Sequence, residues 1–178
     1  GIPTHIKTLT ASGDSSLDFV HGTSDVTFDS TYDEYMFVFT DIGPATDSVE
    51  FTFQVNASGQ SGYNETMTTT VVQAFHTEGG GSAGLEYVTS HDQVGTGYHE
   101  LTNSIGNGSD ESAAGILHIF SPASTTYVKH FYAQSSTYQA GDNNTNWLSA
   151  GYVNVTAALI GISFDVESGN FDGVVQMY

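Results

Sequence analysis

Apolar and polar positions alternate with a period of two wherever apolar residues cluster along this chain. In Val49-Glu50-Phe51-Thr52-Phe53-Gln54-Val55-Asn56 every odd position is apolar and every even one polar. That is the pattern of an antiparallel strand that buries one face and wets the other. Ile160-Gly161-Ile162-Ser163-Phe164-Asp165-Val166 alternates in the same way, and Tyr35-Met36-Phe37-Val38-Phe39 is apolar on both faces, which predicts a central strand. Further strands are expected at 6–11, 17–20, 68–75, 115–120, 127–133, 152–157 and 174–178, all rich in Val, Ile, Thr, Tyr and Phe. Turn-forming clusters separate them at 57–62, 79–82, 104–109, 141–144 and 168–170.

No long window carries the three-four spacing of a helix. One or two short helical turns are expected near 29–34, where Asp29 or Ser30 would cap. The stretch 79–112 is the least sheet-like and predicts long loops or an excursion from the main body. Many short strands with such punctuation predict an all-β fold: a single antiparallel β-sandwich over residues 1–178, jelly-roll-like, closing over Phe37, Phe39, Phe51, Phe53, Ile162 and Phe164.

Charge narrows the functions such a fold could serve. Twenty acidic residues stand against two basic ones, Lys7 and Lys129, for a formal charge of −18. Phosphate neutralisation needs a basic patch, so nucleic acid is excluded as a partner, and an anionic membrane surface is excluded on the same ground. Most of the carboxylates must face water, cations or a basic partner. Salt near ~0.15 M or above shortens the screening length to about 8 Å and relieves their repulsion, so a salty habitat suits the chain. There is no cysteine, which leaves the redox compartment open.

Candidate chemistry is sparse. Seven histidines lack the paired spacing of a zinc helix, and no thiolate is present to complete a structural site. The loops at 29–34 and 142–144 offer oxygen ligands that leave calcium open as a ligand, although no EF-hand pattern is present. Otherwise no cofactor is expected. No Gly-x-Ser-x-Gly elbow or cysteine nucleophile occurs, and the missing arginine removes the usual clamp for anionic substrates. The chain is therefore read as a non-enzyme, and a glycan hydrolase would need two facing carboxylates about 5–10 Å apart. Sugar binding is the competing reading: tyrosines 63, 87, 98, 132, 138 and 152 could offer flat faces, and Trp147, Tyr138 and Asn144 are the chosen glycan contacts, with Trp147 expected to be exposed.

Beyond these patterns, several segments resemble a known group. They are Ile6-Lys7-Thr8-Leu9-Thr10-Ala11-Ser12, Ser30-Thr31-Tyr32-Asp33-Glu34-Tyr35, Pro44-Ala45-Thr46-Asp47, Phe51-Thr52-Phe53-Gln54-Val55-Asn56 and Ser61-Gly62-Tyr63-Asn64, joined by residues 121–132 and the closing run 168–178. Together they resemble marine bacteriophage virion proteins, with Gln176 where that group typically has a lysine. The resemblance implies a non-enzymatic component exposed at the virion surface, in capsid decoration, a head fibre or a tail fibre. It implies assembly with itself, trimers being favoured, and with other virion proteins, while a host surface glycan stays open as a partner. Lys7 and Lys129 are expected to be docking contacts.

Overall fold

A computed structural model describes residues 2–178. Thirteen strands form two antiparallel sheets packed face to face. The larger, nine-stranded sheet is ordered β1 (Lys7–Asp14), β13 (Phe171–Met177), β3 (Glu34–Pro44), β9 (Ala113–Phe120), β10 (Lys129–Gln139), β11 (Asn143–Val153), β5 (Met67–Thr77) and β6 (Ala83–Tyr87). The short β7 (Val94–Gly95) also pairs with β5. The smaller sheet is ordered β2 (Ser16–Val20), β12 (Leu159–Val166), β4 (Phe51–Ala57) and β8 (His99–Glu100). The antiparallel sandwich expected from the alternation is thus what forms. Its sheets are unequal, nine strands against four, where a jelly roll is built of eight strands in two Greek keys.

The predicted core residues meet between the sheets. Phe37, Phe39, Phe51, Phe53 and Phe164 are wholly buried, and Ile162 nearly so. Phe51 stacks on Phe164 with ring centres 5.7 Å apart, and Phe53 meets Phe131 edge-on at 5.1 Å. Phe39–Phe51 (5.2 Å), Phe37–Phe164 (5.4 Å) and the Phe53–Phe131 pair tie the small sheet to β3 and the near half of β10.

The small sheet covers only part of the large one. The rest of the inner surface, on β10, β11 and β5, lies under the segment that runs from a short 3-10 turn (Thr89–His91) through β7 and β8 to Ile105. This segment is held largely by polar contacts. Ser135 donates to the Leu101 carbonyl (2.7 Å), Asn103 to Gln73 (2.9 Å) and the Gln93 amide to Thr69 (2.8 Å). The expected excursion at 79–112 is therefore a cover, and it contains β6, which the sequence reading missed.

Three further expectations are corrected. The face of β4 predicted to be wet is buried, because Gln54 is wholly enclosed and donates to the carbonyls of Glu65, Thr96 and Gly97. No helical turn forms at 29–34; Asp29 instead accepts from the Thr31 amide at 2.8 Å in a local turn. The strand expected at 152–157 ends at Val153, while β11 begins ten residues earlier, inside a cluster predicted to be a turn.

Candidate functional site

Two of the five residues singled out in the sequence lie inside the protein, where no partner reaches them. Trp147 is wholly buried on the inner face of β11 and donates its indole N–H to the Glu100 carbonyl at 3.3 Å. The expectation of an exposed ring beside Asn143 and Asn144 fails because strand alternation turns Trp147 toward the cover. Lys129 is also wholly buried. Its ammonium donates to the carbonyls of Tyr127 (2.9 Å), Thr156 (3.1 Å) and Val155 (3.2 Å), and burial lowers its pKa. It joins two loops at one end of the sandwich, so it is a structural cation and not a docking contact. Lys7 is half-buried at the start of the edge strand β1, where a lysine also discourages edge pairing.

Tyr138 and Asn144 do come together, as cross-strand neighbours on the outer face of the large sheet. The Tyr138 hydroxyl donates to Glu78 at 3.0 Å, and that bond to a carboxylate pushes the phenol up to about 12. Asn144 accepts from Ser136 at 3.0 Å. They line a small hollow with His76, Glu78, Asp142 and Asn143.

The rest of that outer face is the most distinctive surface of the molecule. On β3 its outward side chains are Glu34, Met36, Val38 and Thr40; on β9 they are Ala114, Ile116, His118 and Phe120. On β10 they are His130, Tyr132, Gln134, Ser136 and Tyr138, and on β11 Asn144, Asn146, Leu148, Ala150 and Tyr152. On β5 they are Thr68, Thr70, Val72, Ala74 and His76. Among the described residues of these outward positions, Glu34 is the one carboxylate, in a chain with twenty acids. Glu78 and Asp142 stand beyond the strand ends, and Asp41 and Asp172 lie toward the β13 side. Carboxylates thus border the face and leave its centre uncharged.

Register aligns the apolar members of the face. Val38, Ile116, Gln134, Leu148, Val72 and Tyr87 form a single row across six adjacent strands. Ile116, Leu148 and Tyr132 are 37%, 41% and 45% exposed. Beside this row Tyr132 stacks on His118 with ring centres 4.6 Å apart at 16°, and Phe120 continues the aromatic strip. His118 is hydrogen-bonded to Glu34. A shallow groove of about 450 Å³ runs between the strip and the amides of Gln134 and Asn146, which bond to each other at 3.1 Å. Tyr132 was among the tyrosines weighed as a flat face. The aliphatic row was missed, although its signal is present in Ile116-Leu117-His118-Ile119-Phe120, which is apolar or aromatic on both faces.

Elsewhere, His91, Asp92, His99 and Glu100 line a second hollow of about 300 Å³ at the cover segment. His99 is buried between Phe53 and Phe131, its Nε2 meets no protein partner, and burial pushes it down to about 4. His91 is bonded to the Glu100 carboxylate. Glu50, nearly buried, is pushed up to about 7, first by burial and then by a hydrogen bond with Glu167. Among the described residues no group of three or more His, Asp or Glu is placed to hold a metal ion. Comparison with family models, curated proteins and solved structures finds no match.

Proposed function

We propose that this chain is a non-enzymatic structural protein exposed on a bacteriophage particle, where it decorates the capsid or forms part of a fibre as a symmetric oligomer. The observation that carries the reading is the division of its surface into one broad uncharged face and an acidic remainder. Contact surfaces lose charged residues at their centre and keep them at the rim, and the outer face of the large sheet has that layout. The acidic remainder suits a surface bathed in salty water, where like charge keeps particles apart. The resemblance over most of the chain supplies the phage setting. Mass spectrometry and immunogold labelling of purified virions that encode the chain test it. The protein is expected at a fixed stoichiometry on the capsid or a fibre, and its absence from the particle would refute the reading.

A second reading, glycan binding, is favoured by one feature: the Tyr132–His118–Phe120 strip beside the Gln134 and Asn146 amides. Ring faces flanked by amides suit an uncharged sugar chain better than a charged one here. A glycan array with and without chelator tests it, and specific binding lost in Tyr132→Ala would move the assignment to a carbohydrate-binding module. Trp147 takes no part in this reading, because it is buried.

A further inference from the structure

We infer that the outer face of the large sheet is the surface through which two copies of this chain pair, sheet against sheet; this rests on the assembly reading above and names its contact. The face combines three properties that together specify the occupant. First, exposed apolar side chains gather on it, with Gln134 set between Ile116 and Leu148. Ile116, Leu148 and Tyr132 lie at its centre, and Leu85 and Tyr87 extend it onto β6 at 75% and 55% exposure. Exposed apolar surface gathered on one face marks an interaction site, and aliphatic side chains such as Ile116 and Leu148 offer a sugar ring little to stack on. They favour a protein occupant.

Second, the face carries almost no charge, so it cannot select a basic or an acidic partner by complementarity. A second copy of a chain at −18 is repelled from every surface that bears carboxylates. Across the outer faces alone, the two sets of acids stay at the rim. Like charges placed opposite each other in an interface cost several kcal/mol, so the arrangement of acids directs self-association to this side of the sandwich.

Third, the size fits. Five strands spaced ~4.8 Å apart and about nine residues long cover about 700 Å², close to the ~800 Å² per partner of a standard interface. A flat face that meets its own copy does so about a two-fold axis. The unit is therefore a pair, in place of the trimer that the resemblance favoured. Gln134 donates to Asn146 at 3.1 Å and Ser136 to Asn144 at 3.0 Å, so part of the hydrogen bonding of the face is met within the face itself.

Analytical ultracentrifugation of the full chain across a concentration series, at low and at 0.5 M salt (roughly a 4 Å screening length), tests this. A dimer is expected, and it should tighten as salt rises, because screening removes repulsion between the acidic rims. Leu148→Asp and Ile116→Asp, both at exposed positions, should each raise the dimer Kd by at least ~100-fold with an unchanged native circular dichroism spectrum. Val20→Asp, exposed on β2 of the other sheet, should leave it unaltered. A wild-type chain that stays monomeric to about 200 µM overturns the inference. So does a dimer indifferent to both face variants. A monomer whose face binds neutral glycans, with binding lost in Leu148→Asp, overturns it in favour of the sugar. The virion experiment is independent: a chain found on particles but monomeric in solution refutes the pairing alone, and a face-paired dimer absent from particles refutes the phage assignment alone.

Discussion

Trp147 and Glu100 are joined across the sandwich: the indole N–H donates to the Glu100 carbonyl at 3.3 Å, and His91, bonded to the Glu100 carboxylate, stands edge-on to the same indole at 5.1 Å. One buried side chain thus anchors both the 3-10 turn and β8 to the large sheet. Its neighbours on the inner face are polar, with Ser135 opposite it in register and Thr145 and Ser149 two residues away on either side. The indole is therefore the largest apolar contact under a cover held mainly by hydrogen bonds.

Trp147→Ala should lower the unfolding free energy by about 3–5 kcal/mol, the range for a buried large aromatic. Trp147→Phe keeps most of the volume and should cost less, about 1–3 kcal/mol, chiefly for the lost bond and the cavity. Chemical denaturation checks both. Trp147 is the sole tryptophan, so the native protein should also emit at short wavelength and shift red on unfolding, and a red emission maximum in the native state would contradict this placement.

Lys129 holds three carbonyls from two loops, so its role is read in stability. Lys129→Met, similar in length, removes a buried charge but strands the acceptors of Tyr127, Val155 and Thr156. Unpaired buried polar groups cost about 1–3 kcal/mol each, offset in part by water entry and by relief from burying the ammonium. A net loss of about 1–3 kcal/mol is expected. Hydrogen exchange should locate the loosening at 121–128 and 154–158. Lys7→Met at the half-buried strand edge should change stability by under ~0.5 kcal/mol.

The contrast between these residues explains which parts of the fold were legible in the sequence. Strands of the small sheet, such as β12, alternate between apolar and polar because the face they turn to the large sheet is apolar. β11 inverts the rule. Its inner positions include Asn143, Thr145 and Ser149, while its outer positions include Leu148, Ala150 and Tyr152. A polar cover asks for a polar inner face, and a contact surface asks for an apolar outer one. The polar flank Asn143-Asn144-Thr145-Asn146 therefore pointed to an exposed ring at Trp147, which the paired strand turns inward. The docking lysine failed for a related reason: nothing local in Val128-Lys129-His130 tells that three distant carbonyls converge on the ammonium. Register, which aligns Val38, Ile116, Leu148 and Val72 into one row, exists only once the strands are paired.

Gly115 should resist substitution although it stands in mid-strand, where glycine is normally a weakness. A methyl group there would lie 2.4 Å from the Gln134 carbonyl, 2.5 Å from the Phe39 ring and 2.8 Å from Ser135 Cα. Two of these neighbours are the backbone of β10, which cannot withdraw without breaking the ladder. Gly115→Ala should therefore destabilise by about 1–3 kcal/mol, as overpacking does, where an open strand position would gain. Gly95→Ala, with nothing within 4 Å of the added atom, should be near neutral in the same thermal unfolding assay.

Two buried groups should tilt the stability of the protein in opposite directions with pH. Glu50 is raised from about 4.5 to about 7 in the folded state, so between those values the native protein holds a proton that the unfolded chain releases. Its contribution is present in full below pH 4.5 and is lost as pH rises through 7. His99 is lowered from 6.5 to about 4, so over that interval the unfolded chain takes up a proton that the native ring refuses. Its contribution is present in full above pH 6.5 and is lost as pH falls through 4. In the overlap, from pH 4.5 to 6.5, the slopes oppose each other and these two groups together leave stability nearly flat. Single variants should unmask each slope. Glu50→Gln should make stability rise with pH across the overlap, and His99→Phe should make it fall, each by about 1–3 kcal/mol across the interval. Urea denaturation at half-unit pH steps measures both, and parallel profiles for the two variants would show that Glu50 and His99 are not the opposed pair.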